Sequence, residues 1–517
     1  GFLPGYNFPR LPLMAYIPAR KGKIGRENFL TRPRFLALSE FGPYSLIYHE
    51  GSQYRVTRAI LAVASDEQVS LGAKLATEVA NICPVCGYGH FRSQRDADRC
   101  LSCHASLSDA ISVQNLYRIE NVSTRRAERI TANEEERVRQ GYEMQTTIQF
   151  AEQDGKLQRL DNHLEEGSST VLTMQYGAAA TVWRMNFGWR RRKEKNTRGF
   201  PINPVTGHWV GGAEETGEPD PDMPPDKTPP QRIVPYVEDR RNVLILRAPE
   251  PLPEATIATL QYALKRGIEA VYQLEESELM AEPLPSKDNR QSILFYESAE
   301  GGAGVLTRLA TETTAMARVA DEALRIMHFI APEDGHWAKA TLKDELDADG
   351  NPLCEAGCYK CLLSYYNQPD HETIDRQDMD NDGLVLDILS RLTRAVGKVG
   401  TYGRSPDEQQ QELERISGST LEKAWLTHVD AQGYRKPDRG QESIPQCRTC
   451  ADFYYEDWKA AIFIDGPHHE TPVQKAKDEA IDRSLHDAGF YVVRFPKEQD
   501  QWPAIFAQHA DLFGKAT

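Results

Sequence analysis

The sequence has no long apolar run: none of its 517 residues sits in a stretch approaching the ~18 apolar positions that a membrane-crossing helix needs. It has no excess of positive charge either. Lys and Arg number 61 against 76 Asp and Glu, a net charge of −15. A uniformly basic nucleic-acid coat is therefore excluded, and any anion-binding surface must be local. The opening GFLPGYNFPR holds neither a basic leader nor an apolar signal core. Gly1 is not an initiator Met, as expected of a piece of something larger. Cysteine is scarce, nine in all, too few in too long a chain for a secreted disulfide scaffold. A reducing cytoplasm is the expected setting.

A nucleotide phosphate loop is also missing. EGGAG at 300–304 lacks the Lys-Ser/Thr such a loop requires, so the chain is not itself an ATP-hydrolysing motor. Its glycines suit a sharp strand-to-helix turn; an anion at the following helix N-terminus is the alternative.

What is present folds. The length suggests about three domains, and 40% hydrophobic with 26% charged residues fits an ordinary globular chain. Alternating segments such as Tyr44–Tyr48, Tyr54–Ala64, Val171–Tyr176 and Ala179–Met185 predict strands. A charged helix is expected from Asn133. The acidic, proline-rich 211–230 cannot bury enough surface to fold and is expected to be a mobile loop. From Asn242 onward strands and helices mix: strands at Val243–Leu246 and Ile293–Tyr296, helices at Glu254–Leu274, Val305–His328 and Leu384–Leu392. Residues 397–411 read as a linker. Beyond them comes an α/β unit: helix Leu421–Gln432, strands Phe453–Tyr455, Ala460–Asp465 and Tyr491–Phe495, and helices Val473–Ala488 and Ala504–Leu512.

The nine cysteines fall into three groups. Cys83-x2-Cys86 and Cys100-x2-Cys103 are two hooks thirteen residues apart. Each offers two thiolates from one tight turn, and together they close a four-thiolate shell around a structural Zn2+. The plain alternative is a pair of turns with reduced thiols. Cys354-x3-Cys358-x2-Cys361 offers three thiolates. His371 is the first choice for the fourth ligand, with His336 behind it; alternatively His371 serves a nearby helix, or the cysteines hold an iron–sulfur cluster. Cys447-x2-Cys450 is a lone hook, half of a metal site or merely a turn. Trp189, Arg190, Arg191, Arg192 and Lys193 form a basic run near Trp183 and Phe187. Cations neutralise phosphates and aromatic faces stack on unpaired bases; the alternative is a solvated charged loop. Arg125, Arg126 and Arg129 make a weaker candidate.

In the last hundred residues Asp452 heads the strand ADFYY, and AAIFIDG delivers Asp465 with His468, His469 and Glu470 just after it. Carboxylates at adjacent strand ends can hold Mg2+, which activates water, while a histidine moves the proton. The alternative is polar capping of strand ends.

GFLPGYNFP, EEERVRQGYE, NFGW, GFPINPVTGHW, LQYALKRGIEA, FYESAEGGAGVL and CEAGCYKCLLSYYNQPDHETIDR follow one another in order. Over roughly residues 1–395 this series resembles the zinc-binding C-terminal region of large DEAD/DEAH-type helicases and their partners: the MrfA-type repair helicases and the DrmB-like and DruE-like anti-phage proteins. The resemblance implies a DNA-associated accessory region working beside a helicase motor, in an earlier domain or a separate subunit. Glu422, a helix, Asp452-Phe453, IFIDG-x-HH, Asp478-x4-Arg483 and YVVRF resemble the Vsr-like branch of the PD-(D/E)XK nucleases. That resemblance makes Asp452 the central metal ligand, with the Ile464 carbonyl and Asp465 beside it. His468 or His469 would be the general base, Glu422 an accessory acid, and Asp478 and Arg483 would orient the fold. Phe463 departs from the pattern where many relatives have an acid, and the usual lysine is not evident.

The expectation is an α+β multidomain chain in three parts. A β-rich region at 1–150 carries a zinc ribbon at 81–105. An α/β zinc-binding domain follows at 151–400, and a nuclease-like α/β domain at 412–517. The cofactors are two structural Zn2+ and a Mg2+, and the partners DNA and a helicase motor, with no membrane. Three functions compete: a DNA endonuclease in a defence or repair system, a non-catalytic DNA- or partner-binding module, and a protein-docking scaffold.

Overall fold

The computed structural model describes residues 12–18, 28–61, 74–95, 97–127, 141–153, 156–210, 228–298, 304–399, 413, 419–444, 447, 449–465 and 472–514. The helix expected from Asn133, Arg129, most of the acidic 211–230 segment, the first residues of the glycine turn, most of the 397–411 linker, and His468, His469 and Glu470 lie outside these. The protein is mixed α/β with several sheets. Among the described residues no helix is long and apolar enough to cross a membrane.

The chain divides into two compact units, each assembled from separated segments. The first takes residues 1–149, 180–241 and 284–289; the second takes 150–179, 242–283 and 290–517.

The first unit is rich in strands. One sheet runs in the order Asn28–Arg32, Leu13–Ile17, Asn121–Arg126, Ser52–Ile60, Leu46–His49. Elsewhere Glu78–Ile82 pairs antiparallel with both Gly89–Phe91 and Ile111–Arg118. Ala80, Ile82, Phe91, Val113, Trp183, Met185, Val234 and Tyr236 share one buried core. The two strands expected at 171–185 are parts of one long strand, Ser169–Trp189. Ala179, the first residue of the second expected strand, is left-handed at φ +51.

In the second unit, helix Glu254–Tyr272 packs with helices Ala315–Ile326 and Leu384–Leu392 over a sheet that includes Leu160–Glu166 and Asn289–Glu297. Gly267 explains the close crossing of the first two helices. A Cβ there would lie 2.5 Å from the Val319 carbonyl oxygen, so a residue that ordinarily weakens a helix interior allows two backbones to approach. The single helix expected over Val305–His328 is two, Val305–Thr311 and Ala315–Ile326. The Thr313 carbonyl, between them, accepts a hydrogen bond from Gly397 N at 2.7 Å.

The last hundred residues form a helix-covered four-stranded sheet within this unit. Its order is Arg439–Ile444, Thr449–Tyr455, Ala460–Ile464, Tyr491–Phe495. The first three strands are antiparallel neighbours and the last is parallel to the third. Ala460, Ile462 and Ile464 join a core with Trp425 of helix Thr420–Gln432, while Ala461 and Phe463 join another with Leu485 of helix Pro472–Asp487. Alternation along one strand thus buries both faces.

Candidate metal centres and carboxylate site

The first two hooks converge. The sulfurs of Cys83, Cys86, Cys100 and Cys103 all lie within 4.8 Å of one another, with Cys83 to Cys103 at 3.7 Å and Cys86 to Cys100 at 3.5 Å. A disulfide requires ~2.05 Å, so these are separate thiols, as are all nine cysteines. Zinc–sulfur bonds of ~2.3 Å in a tetrahedron space sulfurs by about 3.8 Å, close to what is found. The two hooks close by the same turn. Gly87 N donates to Cys83 O at 3.0 Å, and His104 N donates to Cys100 O at 2.8 Å. Both closing residues are left-handed, Gly87 at φ +74 and His104 at φ +60. Sequence marks the glycine; a left-handed histidine carries no such signature. Hydrogen bonds from its neighbours, Cys100 first, draw the Cys103 thiol down to about 6. The Cys100, Cys103 and Cys83 contacts, with burial, push Cys86 up. Four thiols at this spacing cannot all ionise unless a cation compensates them.

The second cluster differs from expectation in its fourth member. His371 is turned elsewhere: its Nε2 lies 3.0 Å from Ser364 O and 2.9 Å from Asn367 Oδ1, bracing the turn that Ser364 and Asn367 cap reciprocally. His336 is not in the cluster either. The imidazole that arrives is His328, whose Nε2 lies 3.4 Å from Cys358 Sγ and within 4.8 Å of Cys361 Sγ. Cys354 Sγ stands 3.8 Å from Cys361 Sγ, beside the group of His328, Cys358 and Cys361 but not within 4.8 Å of all its members. Glu345 Oε2 lies 3.5 Å from His328 Nδ1, where a carboxylate can orient a ligating imidazole. Burial raises the Cys358 thiol, but the His328 hydrogen bond and nearby amides outweigh it and bring it down to about 7. Burial and the charges of Cys361 and Cys358 push Cys354 up to about 12.

Arg376 holds the two halves of this cluster together. It is fully buried. Its Nε donates to Cys354 O at 2.8 Å and its Nη1 to Met327 O at 3.1 Å, and its Nη2 stands 2.6 Å from Asp344. One guanidinium therefore ties the residue before His328 to the first cysteine. Sequence missed His328 because its partners lie 26 to 33 residues downstream; its one signal was its place at the end of the helix expected over Val305–His328.

The glycine turn has a simple account. Glu297, buried, accepts from Val305 N at 2.8 Å and Leu306 N at 3.4 Å. The protein's own carboxylate thus occupies the start of the following helix, where an anion was the alternative.

Asp452 lies on a strand of the terminal sheet, Asp465 just past the end of the neighbouring strand and Glu422 on helix Thr420–Gln432, but among the described residues their oxygens do not form a group within 4.8 Å of one another. Asp452 Oδ2 accepts from Ile464 N at 2.7 Å. Burial, with the charges of Glu422 and Asp465, raises Asp452 to about 6 against the opposing hydrogen bonds of Ile464 N and Gln441. Gln441 Nε2 also donates to Glu422 Oε2 at 3.0 Å. Asp465 is ion-paired: Arg494 Nη1 lies 2.7 Å from its Oδ1. Arg494 also grips Asp482 at 2.8 Å and lies 4.5 Å from the Phe463 ring centroid. Asp478 is buried, whereas Arg483 is exposed and returns to Glu479 O. Cys447 and Cys450 join no candidate metal group among the described residues. Cys447 is core, its thiol donating to Ser484 O at 3.4 Å, and Cys450 is exposed.

The basic run splits by residue type. Trp183 is fully buried and stacks on Phe91; Phe187 is buried, and Trp189 stacks on Tyr142 at 4.7 Å. These rings serve the core. Arg192 pairs with Glu143 at 2.7 Å. Arg190, Arg191 and Lys193 are exposed.

No curated protein matches the chain. Among solved structures it is similar to the crystal structure of DUF1998 helicase MrfA bound to DNA, at 11% identity and a TM-score of 0.30, covering 74% of this chain and 34% of that one. The chain thus spans about a third of that structure's length. Residues 260–362, which contain His328 and the three cysteines but not His371, match the family model described as the MrfA Zn-binding domain.

Proposed function

We propose that this chain is the DNA-handling region of a helicase-associated defence or repair system, organised by two structural zinc ions and ending in a Mg2+-dependent endonuclease. The match over residues 260–362 supports the helicase association, and the two sulfur-rich clusters support zinc. The observation that carries the nuclease reading is the placing of Asp452 on one strand and Asp465 at the end of its neighbour, Ile464 N donating to Asp452 Oδ2 at 2.7 Å, with burial and then the charges of Glu422 and Asp465 raising Asp452 to about 6.

Hard carboxylate oxygens fit Mg2+; Asp452 and Asp465 would hold it and Glu422 would assist. When bound, such an ion activates water and stabilises charge developing on a phosphodiester. The chain's own groups prepare the site. Ile464 N fixes one oxygen of Asp452, Arg494 aims Asp465, and His468 or His469 would take the proton. Arg190, Arg191 and Lys193 are the surface cations offered for phosphate contact.

A second reading has its own observation. Asp465 already has a cation in Arg494, and Phe463 replaces an acid. Under it the terminal unit positions DNA or a partner without cutting. The deciding experiment incubates the full chain with single-stranded, duplex and forked DNA in Mg2+ or Mn2+. Cleavage that vanishes in Asp452→Ala is expected. Equal cleavage by that variant would overturn the assignment, and salt-dependent binding without turnover would favour the second reading.

A further inference from the structure

A cleft of about 230 Å³ opens in the first unit, and its walls include Glu78, Arg92, Tyr117, Arg118, Glu120 and Tyr236. Drug-sized ligands take ~300–1,000 Å³, so this cleft suits a single small ring system. Three neighbouring strands build it. Glu78 lies on Glu78–Ile82, Tyr117 and Arg118 on its antiparallel partner Ile111–Arg118, and Tyr236 on Gln231–Arg247, which runs parallel to that partner.

Glu238, buried, holds the two arginines as a pair. Arg92 Nη2 lies 3.3 Å from its Oε2 and Arg118 Nη1 3.7 Å from its Oε1. Arg92 also rests over the Trp183 ring, 5.3 Å from its centroid. Little of this donor capacity is used. The acidic neighbours of Arg118, Glu238 and Glu120, stand at 3.7 and 3.8 Å, beyond hydrogen-bond reach, and among the described residues its guanidinium makes no hydrogen bond. The Glu78 carboxylate is the converse. Its Oε2 is buried without a hydrogen-bond partner, 3.7 Å from Arg92 Nε. The Arg118 and Glu78 side chains are 40% and 41% exposed, so a ligand can reach both. An unsatisfied fork of donors and an unsatisfied acceptor thus line one cleft, and such groups call for an explanation.

A ligand that satisfies both must carry acceptors and donors side by side. A phosphate offers only acceptors, and an ammonium only donors. With two glutamates among the walls against two arginines, no positive field gathers here to draw a bare anion. A nucleobase offers both kinds on one flat ring system, and tyrosines are walls that suit it. Guanine matches best. Its O6 and N7 accept from a guanidinium fork, and N1–H and N2–H2 beside them donate to a carboxylate. Those two donors are spent in a base pair, so the guanine must be unpaired.

We propose that this cleft holds one unpaired guanine of a DNA single strand, with Arg118 at its O6 and N7 and Glu78 at its N1–H and N2–H2. This rests on the DNA-handling reading. The test follows binding of the full chain to short single-stranded oligothymidines by fluorescence anisotropy, one probe carrying a central guanine and the other an abasic site there. Wild type is expected to bind the guanine probe about five-fold or more tighter. Arg118→Lys keeps the charge beside Glu238 but loses the planar fork, and it should bind the two probes alike. Should that variant melt at a lower temperature than wild type, Glu78→Gln decides by the same ratio. Equal binding of the two probes by wild type, or a guanine preference that survives the deciding substitution, would overturn the proposal. If wild type binds neither probe, the DNA-handling reading itself fails, and the cleft is judged with free guanosine by saturation-transfer NMR. A guanosine signal lost in Arg118→Lys would uphold a base site, and no signal, or one that persists, would refute it.

Discussion

The two sulfur clusters reach a similar chemistry by opposite routes. The first lies within residues 83–103 and closes with two turns of one kind. The second takes its thiols, Cys358 and Cys361 with Cys354 beside them, from an eight-residue segment but its imidazole from beyond the end of helix Ala315–Ile326. A buried arginine is needed to hold those pieces together. The first is a local motif; the second is a product of packing. Damage to helix packing should therefore reach the second and spare the first.

The largest effect should follow removal of a ligand, since structural zinc contributes apparent binding free energies of about 10–16 kcal/mol. Elemental analysis should find two zinc ions per wild-type chain and one in Cys100→Ser. His328→Ala should also hold one, whereas His371→Ala keeps two; the reverse pattern would restore His371 as the ligand. Arg376→Met comes next. It removes a fully buried guanidinium that bonds the Cys354 and Met327 carbonyls, and the variant should lose zinc from the second cluster while the first stays loaded. Equal loss from both would erase the contrast. Gly267→Ala is milder, about 1–3 kcal/mol by overpacking. It presses on the helix that precedes His328, so a competing chelator should strip the second cluster faster and the first at the wild-type rate.

The smallest effect concerns the carboxylate site, a third and differently built region. Asp452 sits at about 6 in the folded chain against about 3.9 when unfolded. Its contribution to stability is therefore complete below about pH 4 and lost as pH rises through 6. Without added Mg2+, the melting temperature of Asp452→Asn relative to wild type should climb across that interval and level off above it. A difference independent of pH would show that Asp452 titrates normally.

Much of the fold was legible because periodicity is local. Helix Leu384–Leu392 and strand Tyr491–Phe495 were read to the residue, and helix Glu254–Tyr272 to within two. The strand Arg439–Ile444 escaped because RGQESI has a single apolar residue, Ile444, at its end. Beside the basic run, sequence shows aromatic neighbours but not which rings face inward; Trp183 and Phe187 are buried.

By itself the sequence determined the elements and the contacts closed by short turns. The four-cysteine hooks are the clearest case, since thirteen intervening residues leave the hooks little freedom to miss each other. Only the tertiary structure decided which distant groups meet: His328 rather than His371 at the sulfurs, Glu297 at its helix start, Gln441 on Glu422, Arg494 on Asp465. Those meetings depend on how helices and strands cross in three dimensions. Side-chain spacing along a chain carries no record of a contact whose partners are brought together by the packing of everything between them.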